Sequence, residues 1–203
     1  WSTVGPGQTT TTYAQSTSVW MMFDAFTGNY ICSIGNTTQT ERRGTRTITT
    51  GATGTAVYGK DGSILRYNIV NLGTTTPAYY LQVWNTSRAI WYEATWLSNE
   101  YWMWRPDFNK TYDGRNGFSL NASIPAVQGT IREVVEDKHI IGGTTGYNDE
   151  RDVQQGNLWA LSLKQGQEGT LLWNITFTPT KQWQISGSTA TRGAVSLVGV
   201  NSE

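Results

Sequence analysis

Apolar residues occur along this chain in short runs, each bounded by Gly, Asn, Asp, Thr or Pro. Gly156 to Trp173, GNLWALSLKQGQEGTLLW, shows the pattern most fully, with a β-favouring run from Leu158 to Leu163, a Gly-rich polar turn and a second run ending on Trp173. Two such runs around a glycine-bearing turn predict an antiparallel hairpin. Val19 to Ile34, VWMMFDAFTGNYICSI, repeats the form around Thr27-Gly28, and Tyr79 to Trp91, YYLQVWNTSRAIW, repeats it around Asn-Thr-Ser. Thr55 to Val70 holds the clearest short hairpin, because Lys60-Asp61-Gly62 supplies an Asp-Gly pair that accepts positive φ between two strands.

The intervening stretches are more polar. Residues 1–18 carry a Gly-Pro-Gly and a Thr run with little to bury, and read as an extended lead-in to the 19–203 remainder. Residues 36–54 place Glu41, Arg42, Arg43 and Arg46 among threonines, which reads as a solvated edge more readily than as an anion site. Phe118 to Ile124 alternates like a strand and stops at Pro125, Gly129 to Gly143 reads as a hairpin turning at Glu-Asp-Lys, and Thr144 to Gln155 reads as a surface loop. Gln182 to Ile185 and Ala194 to Val200 add two short strand signals.

No stretch keeps a helical period over about 12 residues, whereas strand signals recur throughout, so the chain is expected to be all-β with about 12 or more strands. The hairpins near 19–34, 55–91 and 129–180 repeat at long, uneven spacing, which suits antiparallel β-propeller blades better than a solenoid.

Composition narrows the partners. Lys plus Arg and Asp plus Glu number 15 each, so there is no net field to draw nucleic acid or an anionic membrane. No window reaches the roughly 18 apolar residues of a membrane helix. Charged residues make up only 15% of the 203, while Thr, Ser, Asn and Gly are abundant, a balance suited to a secreted or surface β protein. The chain opens on Trp1 with no methionine or signal peptide, so a processed product or a piece of a longer chain is expected.

Candidate chemistry is sparse. Cys32 is the only cysteine, which excludes an internal disulfide and a Cys-based zinc site and leaves a small buried thiol as the simplest role. His139, the only histidine, precedes an apolar strand and reads as a strand-end residue rather than a catalyst. Residues 92–118 concentrate aromatics, and Trp96, Tyr101, Trp102 and Trp104 have two readings: packing, which is favoured, or a platform on which sugar rings stack. Asp107, Asn109, Thr111 and Asp113 are spaced like calcium-loop oxygens, but the glycine follows the set and Phe118 stands where a bidentate Glu belongs, so a solvated loop is preferred. Five Asn-X-Ser/Thr sequons, at Asn36, Asn85, Asn109, Asn121 and Asn174, are a mild enrichment over chance and are candidate glycan sites.

The strand, Asp-Gly turn, strand of VYGKDGSILRY, followed by WALSLKQGQEGTLLW and its partial copy MMFDAFTGNYI, resembles the PQQ-like repeats of the quinoprotein alcohol dehydrogenase-like propellers. The LRYNIVN and LQVWN wording is most similar to surface propellers of archaeal type. The resemblance covers about 60% of the chain and implies four-stranded antiparallel blades, about three of them here, out of a ring of seven or eight. It implies that Trp91 and Trp173 pack between blades, with Asp24, Gly28 and Gly169 at or beside the turns. The remaining blades would then come from the same or other chains.

The expected function is a non-catalytic extracellular or cell-surface scaffold or interaction module with no cofactor, its partners being further blades and surface proteins or glycans. One alternative is part of a dehydrogenase that uses PQQ with calcium, but the lone Cys32 excludes the vicinal cysteine pair of its alcohol-oxidising branch, and no acidic set aligns with its site. The other alternative is a carbohydrate-binding propeller using the Trp96 to Trp104 cluster.

Overall fold

The computed structural model describes residues 18–43, 46–93, 106–148, 153–179 and 194–195. The chain is mostly β-strand in antiparallel sheets, and among the described residues no sheet closes on itself. It divides into two compact units, Trp1–Ala122 and Ser123–Glu203.

In the first unit, β1 (Trp20–Phe23) and β2 (Tyr30–Gly35) form the first expected hairpin. Its turn is set by Asp24, whose Oδ1 accepts from the backbone N–H groups of Phe26 at 2.9 Å and Thr27 at 2.7 Å and from the Thr27 hydroxyl. Gly28 closes it at φ 71, in the region where a Cβ is penalised. β3 (Thr38–Arg43) and β4 (Arg46–Gly51) pair as a hairpin, an element not expected there, and Glu41, Arg42 and Arg46 are exposed on it as a solvated edge requires. Threonine explains the difference, since its β-branched side chain favours extended backbone without any apolar alternation.

β5 (Thr55–Tyr58) and β6 (Ile64–Asn71) are the Asp-Gly hairpin, and β7 (Tyr79–Asn85) pairs antiparallel with β6. The expected return strand ending at Trp91 does not form. Residues Thr86–Glu93 are instead helix α1. Asn85 caps it, its Oδ1 accepting from Ser87 N at 2.7 Å and Arg88 N at 3.3 Å. The Asn-Thr-Ser sequence suits a hairpin turn and a helix start equally, and burial of Ala89 and Ile90 beside Cys32, Ile34, Ala52, Trp84 and Tyr112 decides for the helix.

β8 (Thr111–Asp113) runs parallel to β2, giving the sheet order β1-β2-β8. A 3-10 turn at Gly114–Gly117 leads into β9 (Phe118–Ile124), which completes the four-stranded sheet β5-β6-β7-β9. Trp84 on β7, fully buried, donates its indole N–H to the Gly114 carbonyl at 2.6 Å, and Trp20 meets its ring edge-on.

The second unit repeats this logic. β10 (Thr130–Val135), β11 (His139–Thr144), β14 (Gly156–Ser162) and β15 (Leu171–Phe177) form a four-stranded sheet, with every neighbouring pair antiparallel. Between its second and third strands, β12 (Gly146–Asn148) pairs with β13 (Val153–Gln154) and with β16 (Ala194–Val195), where a surface loop was expected. Trp159 on β14 is fully buried and donates its indole N–H to the Gln128 carbonyl at 2.6 Å. A Cβ added at its cross-strand partner Gly142 would overlap the Trp159 ring, and the same holds for Gly117 against Trp84.

Gly142→Ala is therefore expected to cost about 1–3 kcal/mol by overpacking, because the ring is held by its own hydrogen bond and does not step aside. Trp159→Phe should cost a similar amount, about 1–3 kcal/mol, chiefly by leaving a gap where the buried indole's second ring stood and also by removing the bond to the Gln128 carbonyl. Urea denaturation followed by far-UV circular dichroism reads both; unchanged midpoints would show that the ring-on-glycine contact does not hold the sheet.

Candidate functional site

Among the described residues β15 is the last strand of its sheet, and its residues from Leu171 to Thr176 are all exposed. Side chains alternate between faces along a strand. Pairing of Ala160 with Trp173 and of Leu158 with Ile175 puts these four residues on one face. Trp173 is 38% exposed and Ile175 52%, whereas Ala160 beside them is buried. A register shift between Ala160 and Leu161 leaves Leu172 without a directly paired residue opposite, and it is also 52% exposed. The outer rim of the sheet is thus apolar while its inner strands are covered.

The other face of β15 is polar. Asn174 and Thr176 share it with Trp159 and Asn157, and with Gln128, Gln155, Ala126 and Gly156 they line a cleft of about 330 Å³. The Asn157 amide donates to Asn174 Oδ1 at 2.7 Å and to the Ile175 carbonyl at 3.2 Å. Two acceptors facing that nitrogen fix the orientation of the amide. The cleft contains carboxamides and a hydroxyl but no ionisable side chain.

The sequence-predicted residues are placed as follows. Trp173 stands on β15, while Trp91 lies on α1 rather than at a strand end. Trp96, Tyr101, Trp102 and Trp104 lie outside the described residues. Cys32 is fully buried in the first core, and desolvation pushes its thiol pKa up. His139 begins β11 opposite Ser162, with Nε2 buried and without a hydrogen-bond partner among the described residues.

Asp107 pairs with Lys110, and Asp113 with Arg115, so two carboxylates of the calcium-like spacing face cations. Among the described residues no group of three or more His, Cys, Asp or Glu is placed to hold a metal. The cleft escaped sequence reading because its lining comes from three separated stretches, Ala126 to Gln128, Gln155 to Asn157, and Asn174 to Thr176. Asn174 stands out in the sequence only as a sequon, and the other signal is the polar Asn157 near the start of an otherwise apolar strand.

Three turn carboxylates have lowered pKa values. Asp24 is lowered by hydrogen bonds from Thr27 and Phe26, Asp61 by those from Ser63, and Asp113 by those from Arg115. Tyr112 moves the other way, to about 12, chiefly because its phenol is desolvated. Its oxygen accepts from the Asp107 N–H at 2.7 Å.

Depressed carboxylates contribute stability above the ordinary Asp range, and lose it as pH falls through their lowered folded-state values. Amide shifts of Thr27 and Ser63 should therefore hold steady on acidification until below the usual carboxylate range. Asp24→Asn should remove the Thr27 response while the turn persists. The raised phenol contributes stability that is complete below about pH 10, the ordinary tyrosine value, and is lost as pH rises through about 12. Absorbance titration at alkaline pH should show a component there that Tyr112→Phe abolishes; its persistence would reject the assignment.

No protein-family model, curated protein or solved structure matches the chain.

Proposed function

We propose that the chain is part of a PQQ-like-repeat β-propeller that serves as a non-catalytic extracellular or cell-surface scaffold or interaction module. The observation that carries this reading is β15: an outermost strand that exposes Leu172, Trp173 and Ile175. An edge strand with exposed apolar side chains offers unpaired backbone and apolar area together, and proteins normally cover such an edge. In a propeller the adjacent blade, from the same or another chain, packs on the face of the sheet and would cover such apolar side chains, while the backbone edge of the outermost strand stays at the rim. The two four-stranded sheets, each with a buried tryptophan on its third strand, support the comparison with blades. The burial of Cys32 and the cationic partners of Asp107 and Asp113 favour a structural role for these groups over a quinone and calcium site.

Sedimentation velocity over a range of concentrations tests the edge. The chain should self-associate and bind an apolar dye, and the double variant Leu172→Lys, Trp173→Ser should do both markedly less. Identical monomeric sedimentation and equal dye binding by both proteins would remove the support that β15 gives. Surface proteolysis of intact source cells, followed with an antibody to the chain, tests the extracellular placement separately.

A further inference from the structure

We infer that Asn109 is the glycan-bearing sequon of this chain, and that the other four sequons are used by the fold. The inference rests on the extracellular reading, since N-glycans are added on the export route. In the reaction the Asn amide nitrogen forms a bond to the anomeric carbon of a phosphate-linked oligosaccharide. The anomeric carbon–oxygen bond breaks, the phosphate leaves with the bonding pair, and the nitrogen gives one proton to the transferase's base. The folded chain must therefore leave the amide clear and its surroundings roomy.

The five sequons differ in that respect. Asn36 has a left-handed φ of 51, its side chain helps to hold the Asp113 carboxylate, and the next residue, Thr37, is buried. Asn85 is the cap of α1, with Thr86 buried and its Oγ1 accepting from Ile64 N at 2.9 Å. Asn121, in the middle of β9, accepts from Gln82 Nε2 at 3.3 Å. Asn174, in the middle of β15, accepts from Asn157 at 2.7 Å. A sugar on Asn36 would displace its bond to Asp113, on Asn85 it would crowd the helix cap and the buried Thr86, and on Asn121 or Asn174 it would stand on a paired strand. This holds even though the bonds that Asn85, Asn121 and Asn174 accept go to Oδ1 and leave Nδ2 itself free of them.

Asn109 differs in standing outside any paired strand and capping no helix, although its φ is left-handed like that of Asn36 and Thr111 Oγ1 shares a hydrogen bond with Ser33 Oγ at 2.8 Å. It is exposed, lies in the turn before β8, and adopts φ 59, a left-handed conformation that asparagine tolerates well. Its backbone N–H is satisfied by the Ile31 carbonyl at 2.7 Å, so the turn is anchored through the main chain and the side-chain amide is not needed to hold it. Thr111, the third sequon residue, is exposed at the start of β8.

The test is secretion of the whole chain, behind an added export signal, from a eukaryotic host that N-glycosylates. Intact mass, with and without amide-cleaving glycosidase, and glycopeptide mapping read the result. One dominant glycan at Asn109 is expected, and Asn109→Gly, which keeps the left-handed turn, should remove the mass shift without loss of secretion. Asn85→Asp and Asn174→Asp should leave the shift in place. An unoccupied Asn109, or a dominant glycan at any of the other four, overturns the assignment. Because export is imposed, that outcome is independent of where the native protein resides.

Discussion

Burying an indole creates a demand that organises each unit. The ring supplies a large apolar surface, but its single N–H must find an acceptor once water is gone. Trp84 and Trp159 meet that demand in the same way, each donating to a main-chain carbonyl, of Gly114 and Gln128 respectively. The acceptor lies outside the sheet in both cases, so the bond ties the third strand to a connecting segment. Each ring also lies against a glycine, Gly117 or Gly142, which fixes how close that segment or strand approaches. Packing and hydrogen bonding are satisfied together, and a change to either partner disturbs both.

Outside these cores, side chains bonded to nearby backbone take the place that ion pairs hold in more highly charged proteins. Asp24 and Asp61 hold the turns that follow them. Asn71 Oδ1 accepts from Gly73 N and Ala78 N, closing the loop between β6 and β7, and Asn85 starts α1. Each bond is short-range in sequence, so each turn is specified locally. Asp and Asn thus serve the turns in a chain of which only 15% is charged.

Local specification also decides what was legible in the sequence. The hairpins at β1–β2, β5–β6, β10–β11 and β14–β15 were readable because strand signal and turn chemistry agree at each. Helix α1 was not, because eight residues are too few to display a helical period and the Asn cap also reads as a turn. β3 and β4 were hidden because their threonines carry conformational preference without apolar alternation. Motif resemblance directed attention to Trp91 and Trp173, which are partly exposed, whereas the rings at the centre of the two cores are Trp84 and Trp159. Sequence pattern identifies a strand as apolar but not which of its faces will be covered, since that depends on neighbours far along the chain. For the same reason the Gln128–Asn157–Asn174 cleft, assembled from separated segments, was not legible as a cleft, Asn174 standing out only as a sequon and Asn157 only as a polar residue in an apolar strand.

β15 places two incompatible demands a single residue apart. Trp173 and Ile175 point to the face that gains by being covered, and Asn174 between them points to the amide-lined cleft on the other. A bulky hydrophilic group on Asn174 would bring a large hydrated volume to the rim whose apolar residues need a dry neighbour. It would also have to accommodate the bond from Asn157, which helps to keep β15 against β14. A sequon at this position is thus better explained by the β-sheet's use of Asn and Thr than by carbohydrate attachment. Asn109 carries no such conflict, because it lies in a turn of the other unit and its main chain is already anchored to Ile31. The exposed apolar side chains beside Asn174 and its place on a paired strand are what weigh against a glycan on β15.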